Sequence, residues 1–214
     1  LSLDLYYKLP FGRLNQHTSE VRELALLIGR TPSSVALRLV NYAACDPYIV
    51  NSGKRGMVSG IGKCKPFWDH YADNTEELFL QAESIRASLL AKPVEEILQL
   101  NSTDFIGQEK EAVIKQRINQ NAFRAVILAN YNEQCAISGI CIPQLLIASH
   151  IVPWSDDVNN RLNPTNGICL STLYDKAFDK GLIGFDSEYK TILSPQLKNY
   201  SDKEYFAKHF STIE

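Results

Sequence analysis

Between Ser149 and Leu182 the chain reads SHIVPWSDDVNNRLNPTNGICLSTLYDKAFDKGL, a span that gathers one histidine, an Asn-Gly pair and two aspartates four residues apart. Each of these residue types can do chemistry. A neutral imidazole at His150 can take a proton from water. Asp175 and Asp179 stand at i, i+4, so on a helix they share one face and repel by a few tenths of a kcal/mol. Asp179 also falls in the last turn of that helix, where the macrodipole disfavours a negative charge. A divalent cation reverses both penalties, because Mg²⁺ is commonly held by one or two carboxylates together with phosphate oxygens and water. A histidine base opposite a cation that neutralises a phosphate is the minimum needed to hydrolyse a phosphodiester. Each residue also has a plain structural role open to it. His150 can be a packed histidine. Asn166, before Gly167, is by default a turn residue; its amide can instead hold the loop that presents His150. Asp175 can cap its helix from Thr172-x-x-Asp175, and Asp179 can pair with Lys176 or Lys180.

The elements around these residues follow from local pattern. LLIASHIVP is a short β-rich run closed by proline. Residues 154–167 carry turn formers, among them Asp156, Asp157, Asn159, Asn160, Pro164 and Asn166-Gly167, and read as a loop. ICL is a brief strand; Ser171 or Thr172 caps a helix that Gly181 ends. LIGFDSEYKTILS is a hairpin turning near Asp186-Ser187. The order is strand, loop, strand, helix, strand, strand. Upstream, residues 107 to 131 read as one long helix with Ala112, Ile114, Ile118, Ala122, Ala125, Val126 and Ala129 as apolar positions; Arg117, Gln120 and Arg124 share a face.

The N-terminal third has a different texture. Val21, Leu24, Ala25 and Ile28 fall on one face of a helix that Gly29 stops. Thr31-Pro32 starts a second helix, with Val35, Leu39 and Val40 toward a core. Two short helices about a tight turn fit a helix-turn-helix, or an ordinary helical hairpin. In the first case Ser33, Ser34, Arg38 and Asn41 are exposed and can reach base edges and phosphates. Residues 51–65 hold four glycines and four basic residues, a flexible loop or a small β-wing whose Lys54 and Arg55 can meet phosphates, anchored by Phe67 and Trp68. Residues 74–90 form a helix with acid at its start. The turn formers between 92 and 104 mark a boundary.

Composition bounds the function. The 214 residues are 45% hydrophobic, enough for a packed core. No apolar run nears the roughly 20 residues that span a bilayer, and the N-terminus does not read as a signal peptide. Five scattered cysteines suit reduced thiols of a cytoplasm better than a disulfide framework. The net charge is -2, but residues 1–65 hold nine Lys/Arg against four Asp/Glu, residues 66–104 two against eight, and residues 105–214 eleven against twelve. The basic head is the part suited to phosphates.

The run CAISGI…LLIASHIVPW…NRLNPTNGICLSTLYDKAFDKGLI resembles the HNH, or ββα-metal, nuclease motif of bacterial restriction-type endonucleases. The similarity covers roughly residues 117–186, including the R-x-x-Q-x-x-F-R lead-in at Arg117, Gln120, Phe123 and Arg124. It implies His150 as general base, Asn166 as the residue that holds the hairpin, and Asp175 and Asp179 as the pair facing Mg²⁺ or Mn²⁺. There are three departures from the pattern. Ser149 stands where a metal-binding Asp or His often precedes the base. Tyr174 and Asp175 stand where the third letter of HNH belongs. The two Cys-x-x-Cys pairs of many relatives are reduced to Cys135-x-x-Ser138 and Cys169-x-x-Thr172, so no structural zinc is expected. The segment LIGRTPSSVALRLVNYAACDP is similar to one that precedes HNH domains in some restriction-type endonucleases.

The fold class expected is therefore α+β, with a helical, winged-helix-like DNA-binding domain over residues 1–92 and an HNH nuclease domain over residues 105–214. The expected activity is metal-dependent cleavage of double-stranded DNA in a bacterial cytoplasm, with no membrane partner. Ser33, Ser34, Arg38, Lys54, Arg55, Arg117, Arg124 and Arg161 are the candidate DNA contacts. Some nucleases of this layout cut only modified DNA, and no aromatic cage for a modified base is legible. A double-strand cut takes two active sites, which a homodimer would provide. The rival reading is a DNA-binding or toxin-like interaction protein with a degenerate HNH fold.

Overall fold

A computed structural model describes residues 1–100, 107–157, 160–211 and 213. The first half is helical: α1 (Ser2–Tyr7), α2 (Ser19–Leu27), α3 (Pro32–Ala43), α4 (Pro47–Asn51), α5 (Lys65–Tyr71), α6 (Thr75–Leu90) and α7 (Val94–Ile97). The long α8 (Gln108–Asn130) leads to the second half, where β1 (Leu146–His150), β2 (Gly167–Ser171) and α9 (Thr172–Asp179) are followed by β3 (Ile183–Phe185), β4 (Thr191–Leu193), α10 (Pro195–Lys198) and α11 (Glu204–His209). Both sheets have two antiparallel strands, β1 with β2 and β3 with β4. Helices with small sheets make the class α+β. Among the described residues no helix is long and apolar enough to cross a membrane.

In the head, α2 buries Val21, Leu24 and Ala25, and α3 buries Val35, Ala36 and Leu39. Thr31 starts α3 by accepting a hydrogen bond from the Ser34 amide, and Pro32 occupies the first turn, where its missing N–H costs nothing. Asn41, expected on the exposed side of α3, is buried and donates to the carbonyls of Met57 (2.8 Å) and Ser59 (2.9 Å). The reason is the glycine-rich segment, which lies back across the end of α3. Gly56 comes so close that a Cβ would sit 2.2 Å from the Ala44 nitrogen, backbone that has no room to yield. No strand forms between residues 51 and 65, so the expected β-wing is a set of turns around the 3-10 turn Ile61–Lys63. Trp68 is buried there as expected; Phe67 is exposed, because α5 turns it outward.

α8 belongs to two cores at once. Ile118, Ala122 and Val126, four apart, pack with the head residues Leu3, Leu39 and Phe79. Phe123 and Ile127, also four apart and one position further round, pack with Leu146, Cys169 and Leu170 of the sheet. Two neighbouring stripes on one helix thus serve both halves. Arg13 adds a polar tie, donating to Glu20 at 2.7 Å and to Glu133, just beyond α8, at 2.6 Å. The boundary expected between residues 92 and 104 contains α7; its turn formers at 101–104 lie outside the described residues.

Candidate nuclease site

β1 and β2 pair in register from Leu146 with Ser171 to His150 with Gly167. The histidine thus ends its strand directly opposite the glycine of Asn166-Gly167. α8 supports both from below. The Phe123 ring stacks on the His150 ring, centroids 3.8 Å apart and planes 9° from parallel. Gly167 makes room for that ring, since a Cβ there would meet Ile127 Cδ1 at 2.3 Å and Phe123 Cζ at 2.7 Å. Trp154 meets the imidazole edge-on at 5.4 Å. Gly167→Ala should therefore push Phe123 against the imidazole. Overpacking of this kind costs about 1–3 kcal/mol, and each kcal/mol lowers the melting temperature by roughly 2–4 °C in a chain of this size. A thermal melt equal to that of the parent chain would show that Phe123 and Ile127 repack freely.

The orientation of His150 follows from one bond. Its Nε2 lies 3.0 Å from the Arg161 carbonyl oxygen, which can only accept. Nε2 must then carry the proton, and in the neutral ring Nδ1 keeps the lone pair. Asn166 organises the connecting loop from inside. Its Oδ1 accepts from the Val152 amide at 2.7 Å, and its Nδ2 donates to the carbonyls of Val152 (3.1 Å) and Asn160 (3.2 Å). Three hydrogen bonds from one buried amide thus fix the loop that follows His150. Asn159, one of the expected turn formers, lies outside the described residues.

α9 follows β2 without a break, Ser171 serving as its N-cap position. Asp175, half-buried in its first half, accepts a hydrogen bond of 2.5 Å from the buried Ser149 Oγ, the neighbour of His150 on β1. Asp179 is exposed. Neither aspartate has a salt bridge among the described residues, so the pairing of Asp179 with Lys176 or Lys180 does not form. Among the described residues no three His, Cys, Asp or Glu side chains converge on one point. Two carboxylates on one helical face without a compensating cation fit a hard divalent ion whose remaining ligands are water and phosphate oxygens; they do not fit a closed protein cage. Tyr174 is turned away from this face. It is buried and donates to the His209 carbonyl at 2.7 Å, fastening α11 to α9.

The degenerate cysteine pairs are packed as core. Cys135 Sγ accepts from the amides of Ser138 (3.4 Å) and Ser171 (3.1 Å). Burial pushes this thiol up, but the Ser138 side chain and the amides of Ser138, Ile137 and Ser171 outweigh it and leave it below the usual value. Cys169 is pushed up to about 11, by burial first and by neighbouring Cys135 second. Cys141 is exposed.

The candidate DNA contacts divide into two groups. Arg124 donates to the carbonyls of Leu146 (2.6 Å) and Pro143 (2.9 Å), satisfying backbone at the start of β1. Arg161 donates to the Trp154 carbonyl at 2.8 Å and lays its guanidinium over the Trp154 ring at 5.0 Å. Arg38 donates to Cys64 Sγ at 3.3 Å inside the head. These three arginines hold the fold, and Arg161 also positions His150 through its carbonyl. Ser33 and Ser34 are exposed at the first turn of α3, where both also bond to Thr31. Lys54 sits over the Phe11 ring at 5.5 Å, and Arg55 and Arg117 are exposed. Two contributors escaped the sequence reading. Ser149 was legible only as a missing ligand, and Phe123 only as part of a motif; neither partner, 26 and 27 residues away, is visible in a linear pattern.

A strand ending in histidine, an antiparallel partner entered through Asn-Gly, and a helix bearing carboxylates follow one another as a ββα unit. Residues 135–186 match the family model described as HNH endonuclease. The match supports nuclease chemistry and DNA binding for this part of the chain. No curated protein matches the sequence.

Proposed function

We propose that the protein is a metal-dependent DNA endonuclease of the restriction type, in which His150 is the general base and Asp175 and Asp179 hold Mg²⁺ or Mn²⁺. The observation that carries this reading is the Nε2 bond of His150 to the Arg161 carbonyl, which leaves Nδ1 as the proton acceptor. A water placed between Nδ1 and the scissile phosphorus gives its proton to Nδ1 as it attacks. Phe123 and Arg161 keep the imidazole from rotating, so the acceptor stays aimed, and Asn166 keeps the loop carrying the Arg161 carbonyl in place. A divalent cation held by Asp175 and Asp179 would supply Lewis-acid stabilisation of charge on the phosphate and the leaving oxygen. Ser149 Oγ donates to Asp175 and would hold that carboxylate in place for such an ion.

The head is proposed to read double-stranded DNA in a winged-helix-like manner, with Ser33 and Ser34 at the start of α3 facing bases and Lys54 and Arg55 facing phosphates. The excess of positive charge over residues 1–65 supports this, since phosphate neutralisation supplies most non-specific affinity. Two active sites are needed for a double-strand cut, and a homodimer is proposed to supply them.

The test is relaxation of supercoiled plasmid by the full chain. With Mg²⁺ or Mn²⁺ added, nicked and linear forms should accumulate, and EDTA should stop them. Binding of plasmid without any cleavage in either metal would favour the rival, a DNA-binding protein with an inactive HNH fold; Ser149 in place of a carboxylate is the observation on that side.

A further inference from the structure

Directly after His150 the chain puts three apolar residues in a row into solvent. Ile151 is 50% exposed, Val152 is 40% exposed, and Pro153 is exposed as well. Single exposed apolar side chains are ordinary on a protein surface, but a consecutive run of them is a cost that a fold with no use for it avoids. The run is also next to the proposed chemistry. Consecutive Cα atoms are about 3.8 Å apart, so even the Pro153 Cα lies within about 11 Å of that of His150.

This tip is stiff. Asn166 holds its backbone: the Ile151 amide donates to the Asn166 carbonyl at 2.9 Å, the Val152 amide to Asn166 Oδ1 at 2.7 Å, and Asn166 Nδ2 to the Val152 carbonyl at 3.1 Å. The Pro153 carbonyl accepts from the Asp156 amide at 3.0 Å, and the Trp154 carbonyl from Arg161 Nε at 2.8 Å. The side chains are as restricted as the backbone. Ile and Val are branched at Cβ and stiff about χ1, and the proline ring fixes its own φ. Such a tip loses little freedom when a partner closes on it, so it can enter a narrow gap at small entropic cost.

We propose that Ile151, Val152 and Pro153 form a wedge that enters the minor groove of bound DNA beside the scissile phosphate and parts one base-pair step there. The proposal rests on the nuclease reading, because a phosphodiester at His150 is what brings the duplex to the tip. The apolar surface that DNA offers is the face of its stacked bases, and it is reached only by opening a step. Apolar wedges that include Ile and Pro do this in proteins that kink DNA from the minor groove. That groove is about 6 Å wide, too narrow for a helix and wide enough for small branched side chains. Pyrimidine–purine steps unstack most readily, so the wedge favours deformable sites without reading a base edge. A second copy of the chain is the rival occupant for an exposed apolar tip. Continuity with the nuclease site favours DNA, since the tip begins one residue beyond His150.

A wedge unwinds the duplex, so the test is a change in DNA topology. Closed-circular plasmid is relaxed by a metal-independent topoisomerase in EDTA, with and without the full chain, then stripped of protein and resolved on a gel. The parent chain should leave the plasmid with a lowered linking number, in proportion to the amount bound. In the double variant Ile151→Ser, Val152→Thr the fold should persist, because both side chains are exposed and the Asn166 bonds go to backbone; a melt equal to the parent's checks this. The variant should bind plasmid and leave its linking number unchanged. Fluorescence polarisation of short labelled duplexes gives a second readout. The parent should bind a duplex with one unpaired nucleotide about tenfold more tightly than the matched duplex, because the step is already open, and the variant should bind the two alike. An unchanged linking number with parent chain bound, an equal shift in the variant, or equal affinity of the parent for the two duplexes would each overturn the wedge. So would loss, in the variant, of a dimer that the parent forms without DNA, since the tip would then be a contact between copies. The readout needs no cleavage: a plasmid left uncut in Mg²⁺ but unwound in EDTA removes the nuclease activity and keeps the wedge, and a plasmid cut in Mg²⁺ but not unwound in EDTA removes the wedge alone.

Discussion

Replacement of His150 by alanine should slow plasmid cleavage by about 10²–10⁴-fold, the range for losing a general base, while DNA binding stays near the parent level. The structure makes the expectation specific. With Nε2 committed to the Arg161 carbonyl, Nδ1 is the ring nitrogen left to accept a proton, and neither Phe123 nor the donor-only indole of Trp154 can replace it. Loss of the ring also removes the stack on Phe123, so the melting temperature should be measured alongside the rate. A fall of a few degrees with the full kinetic loss keeps the assignment, because the assay temperature can be lowered well below the melt. Cleavage at the parent rate would remove His150 from the chemistry.

Asp175→Asn is expected to have an effect at least as large as the roughly 10–100-fold seen when groups that merely support a metal ligand are lost. The change is nearly isosteric and leaves an oxygen for Ser149 Oγ to donate to, so the fold should survive. What it removes is one of the two negative charges on the face of α9. The loss should appear as a higher Mg²⁺ concentration for half-maximal rate, and as weaker Mn²⁺ binding in calorimetry. Ser149→Ala should shift the same two measurements in the same direction by less, because the carboxylate is then present but unheld. Unchanged metal dependence in Asp175→Asn would remove this residue from the proposed ligand pair.

The order of elements from α8 to β4 was legible because each signal is local. The 3.6-residue period of 107–131, the proline that closes LLIASHIVP, and the start and stop of α9 are all decided within a few residues. The places of His150 at the end of β1, Asn166 before β2 and Asp175 on α9 were legible for the same reason, as residue types at motif spacing. What the arginines do was not. Arg38, Arg124 and Arg161 look on paper like three more phosphate contacts, but a long side chain with five donors can serve solvent or interior equally well, and only the positions of Cys64, Pro143 and Trp154 decide. Asn41 was misread because its burial depends on a glycine-rich segment folding back over α3, a tertiary event without a periodic signature. The same holds for Asn119 and Glu76, separated by 43 residues yet bonded at 2.6 Å.

The shared helix α8 limits how this architecture can be rebuilt. Catalytic and DNA-reading parts of nucleases are often treated as interchangeable cassettes, joined at a linker. Here a cut made before α8 would strip Ile118, Ala122 and Val126 of their cover and leave a greasy stripe on the catalytic piece. A cut made after α8 would take Phe123 away from beneath the imidazole. No seam in the chain leaves both pieces whole, so a chimera that imports a new head must also import a matching face for α8, with residues 118, 122 and 126 redesigned together. Exchanging the head of this protein is then a repacking problem before it is anything else.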